Sequence, residues 1–445
     1  MRISTIEVTE LFGIFNHRIE FDPAEHIKIV YGPNGIGKTV LLTMINGLFH
    51  GRYTSIRRLR FSKLFVSFFD GGSLTVTKVQ SKTGEDSGRK RVVSELHFES
   101  SEKGDKPFVS KQQIDSTLGL EVPLSAIEHF VPELSRIGAE TWRYGPTMER
   151  LTLREVMERW GELIPRRKPR GEEEPEWLKK IRTSIHVRFI DTLRLRTAKS
   201  PRDYEAAEPT TVPSVLAYSD ELANAIQAKL AEYATLSQSL DRTFPKRLVT
   251  GAARAVPKVE QLTAELTALE ERRSRLMSTG LLDREREIDF SEFGGIAEDN
   301  ANVLSVYIED AKQKLAVLDE LTNRIDLLVN TVNSRFLHKE MTISKKEGFV
   351  FKSKDGTRVP AANLSSGEQH ELVLFYELLF RVRPNSLVLI DEPELSLHVV
   401  WQQLFLKDLE EITRLIGFNV LIATHSPQIV HDRWDWTVEL KGAAQ

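Results

Sequence analysis

The 445-residue chain contains no cysteine, which excludes a disulfide framework and any thiolate metal site. It lacks an apolar run approaching the roughly 18–20 residues that span a bilayer. Its first residues, Met1-Arg2-Ile3-Ser4-Thr5-Ile6-Glu7-Val8, alternate as a strand does and carry no apolar block of signal-peptide type. A soluble, cytoplasmic protein with no membrane partner is expected. Excess charge is lacking too: the formal net charge is −3 with 28% charged residues, so no global basic field announces nucleic acid. Length is not lacking, and the chain is long enough for a large core and two structural units.

Against these absences stands one short run with a definite chemistry. Gly32-Pro33-Asn34-Gly35-Ile36-Gly37-Lys38-Thr39 has the spacing of a phosphate-binding loop. It follows the apolar strand pattern His26–Tyr31 and precedes Val40-Leu41-Leu42-Thr43-Met44-Ile45-Asn46, which reads as a helix. Glycines let consecutive N–H groups close on phosphate oxygens at the positive end of that helix. Lys38 is expected to reach the β- and γ-phosphates of a nucleoside triphosphate, and the Thr39 hydroxyl to ligate Mg²⁺.

Three further elements lie downstream. Leu387-Val388-Leu389-Ile390-Asp391-Glu392 is a buried-strand pattern ending in two carboxylates. Asp391 is placed to hold Mg²⁺ through water, and Glu392 to act as general base for the water attacking the γ-phosphate. Leu364-Ser365-Ser366-Gly367-Glu368-Gln369 opens a helix over His370–Arg381, and a Ser-Ser-Gly at a helix start offers N–H groups and a hydroxyl to a phosphate. An ordinary serine N-cap has the same pattern. Asn419–Ser426 is another buried strand, and His425 at its end is suited to sense or polarise a γ-phosphate.

The order of these four elements resembles the ATP-binding-cassette ATPases, within them the SMC/RecF/OLD branch. That resemblance makes Leu364–Glu368 the signature motif, through which Ser365, Ser366, Gly367 and Glu368 would bind ATP held by a second subunit. It makes Leu387–Glu392 the Walker B strand, Glu394-Leu395-Ser396-Leu397-His398 the D-loop region and His425 the switch histidine. Ser366 stands where a glycine is more usual. The Q-loop glutamine is unassigned: Ile185–Leu195 is the best-placed strand and exit, yet holds no glutamine, Leu193 falls at the wanted position, Arg194 resembles an arginine common there, and Gln80 ends a hairpin strand. Adenine is implied only by the resemblance, with Phe12, Phe15 and Asn16 as candidates beside the base.

The expected fold is α/β, an ABC-ATPase head with a parallel P-loop core and an antiparallel lobe, carrying an inserted helical or short coiled-coil domain. Residues 1–200 would form the first lobe, 213–338 the insertion and 339–445 the second lobe. Phe61–Phe69 and Leu74–Val79 alternate across Asp70-Gly71-Gly72-Ser73 as a hairpin, followed by a strand at Lys90–Glu99. Pro165–Pro175, with opposed charge blocks, reads as part of a mobile surface loop over about 163–178, or as a nucleic-acid contact through Arg166–Arg170. Arg57, Arg58 and Arg60 form a second small basic cluster. Val259, Leu262, Leu266, Leu269 and Leu276 make a short heptad seam, repeated at Leu304, Ile308, Ala311, Leu315, Leu318, Ile325 and Val332. With the helix Leu216–Leu240 they form either a projecting hairpin or a subdomain packed on the head, with Pro245, Pro257 and Thr279–Gly295 as breaks.

The cofactors implied are ATP and Mg²⁺. The resemblance implies that two heads sandwich the nucleotide, so the chain is its own partner in a homodimer or higher oligomer. OLD-family nucleases carry a Toprim domain after the ATPase, and with only Ser426–Gln445 following His425 none is expected here. The arrangement is similar to the stand-alone ATPase subunits of bacterial anti-phage systems such as PARIS and Septu. The expected role is therefore a switch over a separately encoded nuclease or toxin, triggered by DNA or a phage protein. A RecF-like repair ATPase acting directly on DNA is the alternative.

Overall fold

Each central strand sends alternate residues to opposite sides, and this divides the protein into two cores. In the computed structural model, Val187–Asp191, Leu387–Asp391, Asn419–Thr424, Ile27–Tyr31 and Thr437–Glu439 lie side by side in that order, all parallel. Ile29, Val388, Ile390, Val420 and Ile422 enter one core, while Val30, Leu389, Leu421 and Ala423 enter the other. A sheet covered on both faces explains why Leu387–Ile390 and Val420–Ala423 at its centre are wholly apolar. Residues 1–83, 91–102, 104–110, 124, 127–131, 134–139, 141–144, 148–160, 174–191, 196–198, 211–250, 258–283, 300–395 and 397–440 are described.

The second core joins the sheet to the phosphate-loop helix Lys38–Phe49 and to a six-stranded antiparallel sheet. The expected hairpin is there as Lys63–Phe68 and Ser73–Thr83, with Arg91–Ser100 alongside. Leu134–Arg136, Thr141–Tyr144 and Glu149–Thr152 form a small sheet around the fully buried Trp142. The expected loop at 163–178 is corrected at its end. Pro175 caps a helix, Glu176–Ser184, that buries Leu178 and Ile181 and ties Trp177 Nε1 to Lys106 O at 3.1 Å. Arg166–Arg170 lie outside the described residues.

The first core runs from the sheet into three helices, Ser214–Thr250, Val259–Ser278 and Ala301–Arg335. The heptad positions Leu262, Leu266, Leu269 and Leu276 face Ile308, Leu315, Leu318, Ile325 and Val332 in its interior. Pro245 does not break its helix. A proline there forfeits one backbone hydrogen bond, but Arg247 grips Asp310 of the neighbouring helix with both terminal guanidinium nitrogens and donates to Leu240 O at 2.8 Å. Pro257 lies outside the described residues, and the turn at Gly280 ends the second helix. The antiparallel strands Lys339–Ser344, Gly348–Ser353 and Arg358–Val359 lead back to the head. They press so closely on the first helix that a Cβ on Gly348 would lie 2.0 Å from Ser219 O. Among the described residues no helix is long and apolar enough to cross a membrane.

Candidate nucleotide site

Three adjacent strands deliver the site at their carboxyl ends, where open α/β sheets bind ligands. Ile27–Tyr31 runs into the glycine-rich loop, Leu387–Asp391 into Glu392 and Asn419–Thr424 into His425. Gly35 and Gly37 sit at φ +88° and +93°, left-handed backbone that side chains resist. Nothing approaches within 4 Å of the space above Gly35, so the loop's outer face is open. From below, the buried His17 sets Nε2 2.9 Å from Ile36 O and braces the turn. Burial lowers the pKa of His17, against the pull of the Ile36 and Asn16 backbone. The helix starts at Lys38, ahead of Thr39 and Val40.

Lys38 is almost fully buried and donates to Gly32 O at 2.8 Å and Pro33 O at 3.0 Å. Burial pushes its pKa down, while Glu392, Glu394 and Asp391 push it up. Burial raises the Asp391 pKa, opposed chiefly by a hydrogen bond with the Thr39 side chain. A half-buried carboxylate in that state, touching a threonine hydroxyl, fits a hard divalent cation. Thr39 directly and Asp391 through water would hold Mg²⁺, whose charge would offset that of the phosphates. Among the described residues no group of three or more His, Asp or Glu side chains is arranged to hold a metal by itself. Mg²⁺ at a phosphate site does not require one, since it keeps waters and phosphate ligands.

The turn after Asp391 is strained. Glu392 adopts φ +45°, and its N–H donates to Ala423 O at 2.8 Å. His425 Nδ1 then stands 3.6 Å from Glu392 Oε1 and 3.1 Å from Glu394 Oε1. Glu394 is the residue that sequence reading passed over, naming it only within the D-loop region. Its Oε1 accepts from the Thr424 hydroxyl at 2.6 Å and from His425 N at 3.1 Å, which fixes the histidine's turn. Gln402 closes the assembly, donating to Glu394 O and Leu397 O while its Oε1 accepts from Ser426. The available signal was a carboxylate two positions after the candidate base, beyond a proline.

Ser365, Ser366, Gly367 and Glu368 belong to a separate cluster. The helix runs Ser366–Tyr376, four residues earlier than expected, and continues through a π-helical turn at Glu377–Arg381. Ser365 is its N-cap in a complete capping box: Glu368 Oε2 accepts from Ser365 N at 2.8 Å, and Lys339 Nζ donates to both Glu368 oxygens at 2.8 Å. The Glu368 pKa is depressed: burial pushes it upward, and Lys339 and Ser365 outweigh that. Glu368 therefore answers to Lys339, as Lys38 answers to the acids at the strand ends. Ser365 and Ser366 are exposed, and no atom lies within 4 Å of the space above Gly367.

The remaining candidates divide. Phe15 stacks on His17 at 5.7 Å, and Asn16 accepts from Glu10 N in the turn between the first two strands. Phe12 borders Gly37, with its ring 3.2 Å from where a Cβ there would lie. Arg57 donates to Ser110, and Arg60 covers Gly13. Gln80 lies on the strand Ser73–Thr83; Leu193 and Arg194 are outside the described residues.

Residues 237–431 match the protein family described as "AAA domain, putative AbiEii toxin, Type IV TA system". That segment holds Ser365–Glu368, Asp391, Glu392 and His425, while the phosphate loop joins it from the N-terminal part through the sheet. A stretch of 174 residues is 29% identical to the "Retron Ec83 probable ATPase" of Escherichia coli, covering 33% of this chain and 31% of that protein. The chain thus spans about a third of the length of the curated relative it matches. An SMC head domain with an extended coiled coil, bound to the C-terminal domain of ScpA, from Pyrococcus furiosus, aligns at 10% identity with a TM-score of 0.34. The alignment covers 100% of this chain and 94% of that one. The SMC head domain from Thermotoga maritima gives 10% and 0.33 over 97% and 91%. Scores of this size add no weight. Residues 237–431 are thus similar to the AAA-type ATPase domain of that family, and 174 residues of the chain are similar to a retron ATPase.

Proposed function

We propose that the chain is an ABC-type ATPase that works as a switch: two copies close around ATP, hydrolysis parts them, and the change controls a separately encoded effector. The observation that carries the reading is the meeting of Lys38, Asp391, Glu392 and His425 at the ends of three neighbouring strands. A γ-phosphate offers Lys38 a charged acceptor in place of two neutral carbonyls, a favourable exchange. Glu392 takes the proton of the attacking water, and the γ-phosphoryl passes to that water as ADP departs. His425, held by Glu394, stands beside Glu392 to orient the water or the transferring group.

Two features support closure between copies. The turn at Ser365–Gly367, with both serines exposed and Gly367 partly so, lies outside the Lys38 cluster, so a nucleotide from another copy would have access to it. Leu395, Val399, Val400 and Leu404 are 59%, 55%, 59% and 42% exposed just past the candidate base, an apolar strip suited to burial on closure. The effector role rests on the likeness to a retron ATPase and to a family described with a toxin. Tagged Glu392→Gln protein, expressed with its native neighbouring genes and captured with ATP, is expected to bring down a nuclease or toxin in stoichiometric amount. Recovery of DNA with no protein partner overturns the effector reading in favour of a RecF-like clamp.

A further inference from the structure

At the other end of the same strands lies a cavity of about 410 Å³ that the nucleotide chemistry does not use. It is lined where Val187–Asp191 and Leu387–Asp391 begin, roughly 13 Å along the sheet from Asp391 at ~3.3 Å per residue. The phosphate-loop helix ends there as well, and contributes Asn46 and His50. Four arginines line it, Arg52, Arg188, Arg381 and Arg383, together with His50 and His186. No carboxylate is among the lining residues.

The arginines are not merely solvated. Arg188 is held at 2.7 Å by Glu377, and Arg381 at 2.5 Å by Glu221 while it packs 4.2 Å over the Tyr218 ring. Tyr218 also donates to Glu377, so the pairs form one network anchored on the π-helical turn. Such anchoring fixes the direction of a guanidinium before a ligand arrives, which lowers the ordering cost of binding. Arg188, Arg381 and Arg383 set three guanidinium groups against those two carboxylates, which leaves this wall cationic. Arg383 is exposed, and no carboxylate pairs with it among the described residues. The half-buried Phe189 offers an aromatic surface, and Ser386, 3% exposed, adds a hydroxyl. Fixed arginines for a phosphate and, on the other face of the Val187–Asp191 strand, an aromatic ring for a base are elements of single-nucleotide recognition, and the volume lies within the range of small-ligand sites.

We propose that this cavity is a second, non-catalytic site for one phosphorylated nucleotide unit, either a free mononucleotide or the 5′-phosphorylated end of a single strand. Its ligand would sit at the far end of the helix and strand that carry Lys38 and Asp391. The phosphate loop is first saturated with a non-hydrolysable ATP analogue, so that only the second site titrates. AMP is followed by calorimetry, and labelled single strands with and without a 5′-phosphate by fluorescence anisotropy. Binding is expected to weaken about tenfold or more in Arg383→Glu and His186→Ala, the loss of a charge-assisted contact, with affinity for the ATP analogue unchanged. Binding of AMP points to a free nucleotide, and binding of the phosphorylated strand alone to a strand end. No binding of either, binding indifferent to the 5′-phosphate, or binding that both variants leave unchanged overturns the proposal.

Discussion

Glu392→Gln is expected to bind ATP with near-normal affinity and to hydrolyse it about 10²–10⁴-fold more slowly, the span associated with loss of a general base. The amide keeps the size and the hydrogen-bonding reach of the carboxylate but cannot take a proton. The backbone at φ +45° and the bond from Glu392 N to Ala423 O are main-chain features that the substitution leaves in place. Lys38 and Thr39, the groups proposed to hold phosphate and Mg²⁺, are likewise untouched, so binding and chemistry should separate. Phosphate release under saturating ATP, with equilibrium binding measured in parallel, checks both halves. Turnover within about threefold of the wild type would remove Glu392 from the role of base and leave Glu394, 3.1 Å from His425, as the next carboxylate to examine.

Arg335→Met is expected to destabilise the protein by about 3–5 kcal/mol, because it strands buried carboxylates. Arg335 closes the long helix Ala301–Arg335 and is 2% exposed at its side chain. It pairs with Glu371 of the signature helix and with Asp408 of the helix Val399–Ile416, and lies 4.9 Å over the Phe375 ring. Burial pushes its pKa down to about 10, so the guanidinium remains charged at neutral pH. Methionine fills similar volume but leaves Glu371, wholly buried, and Asp408 without their cation. Denaturant unfolding reads the loss. The triple variant Arg335→Met, Glu371→Gln, Asp408→Asn should recover a large part of it, since the stranded charges are then gone. A single variant as stable as the wild type would show that the carboxylates find water or protons at little cost. The same three side chains join the helices Ala301–Arg335, Ser366–Tyr376 and Val399–Ile416, so their loss also loosens the parts that the proposed closure would move together.

Legibility in the sequence followed the range of the interaction. Gly35, Gly37, Lys38 and Thr39 act within one turn, and Leu387–Asp391 declares itself by apolar content alone. The heptad leucines could be read because a helix repeats its environment every few residues. Contacts that depend on chain segments meeting in space could not be read. Glu394 reaches Thr424 and His425 only because two parallel strands lie side by side, and Arg335 meets Asp408 only after three helices pack. Pro245 misled because propensity favours a break and the Arg247–Asp310 pair overrides it. The small sheet around Trp142 was hidden by strands of three or four residues, too short for alternation to register.

The central claim is that one active site is built from two copies of the chain. It is tested most directly by mixing two inactive variants. Lys38→Ala lacks the phosphate-loop lysine but keeps Ser365–Glu368. Gly367→Asp keeps the loop but sets a charge against the phosphate, in a space that nothing else fills. Each alone should hydrolyse little ATP. Mixed in equal amounts, random pairing gives half mixed dimers with one intact site each, so turnover should return to about a quarter of the wild-type rate. A mixture as inactive as its components, with mixed dimers shown to form, would contradict the shared site and leave each chain as a self-sufficient ATPase.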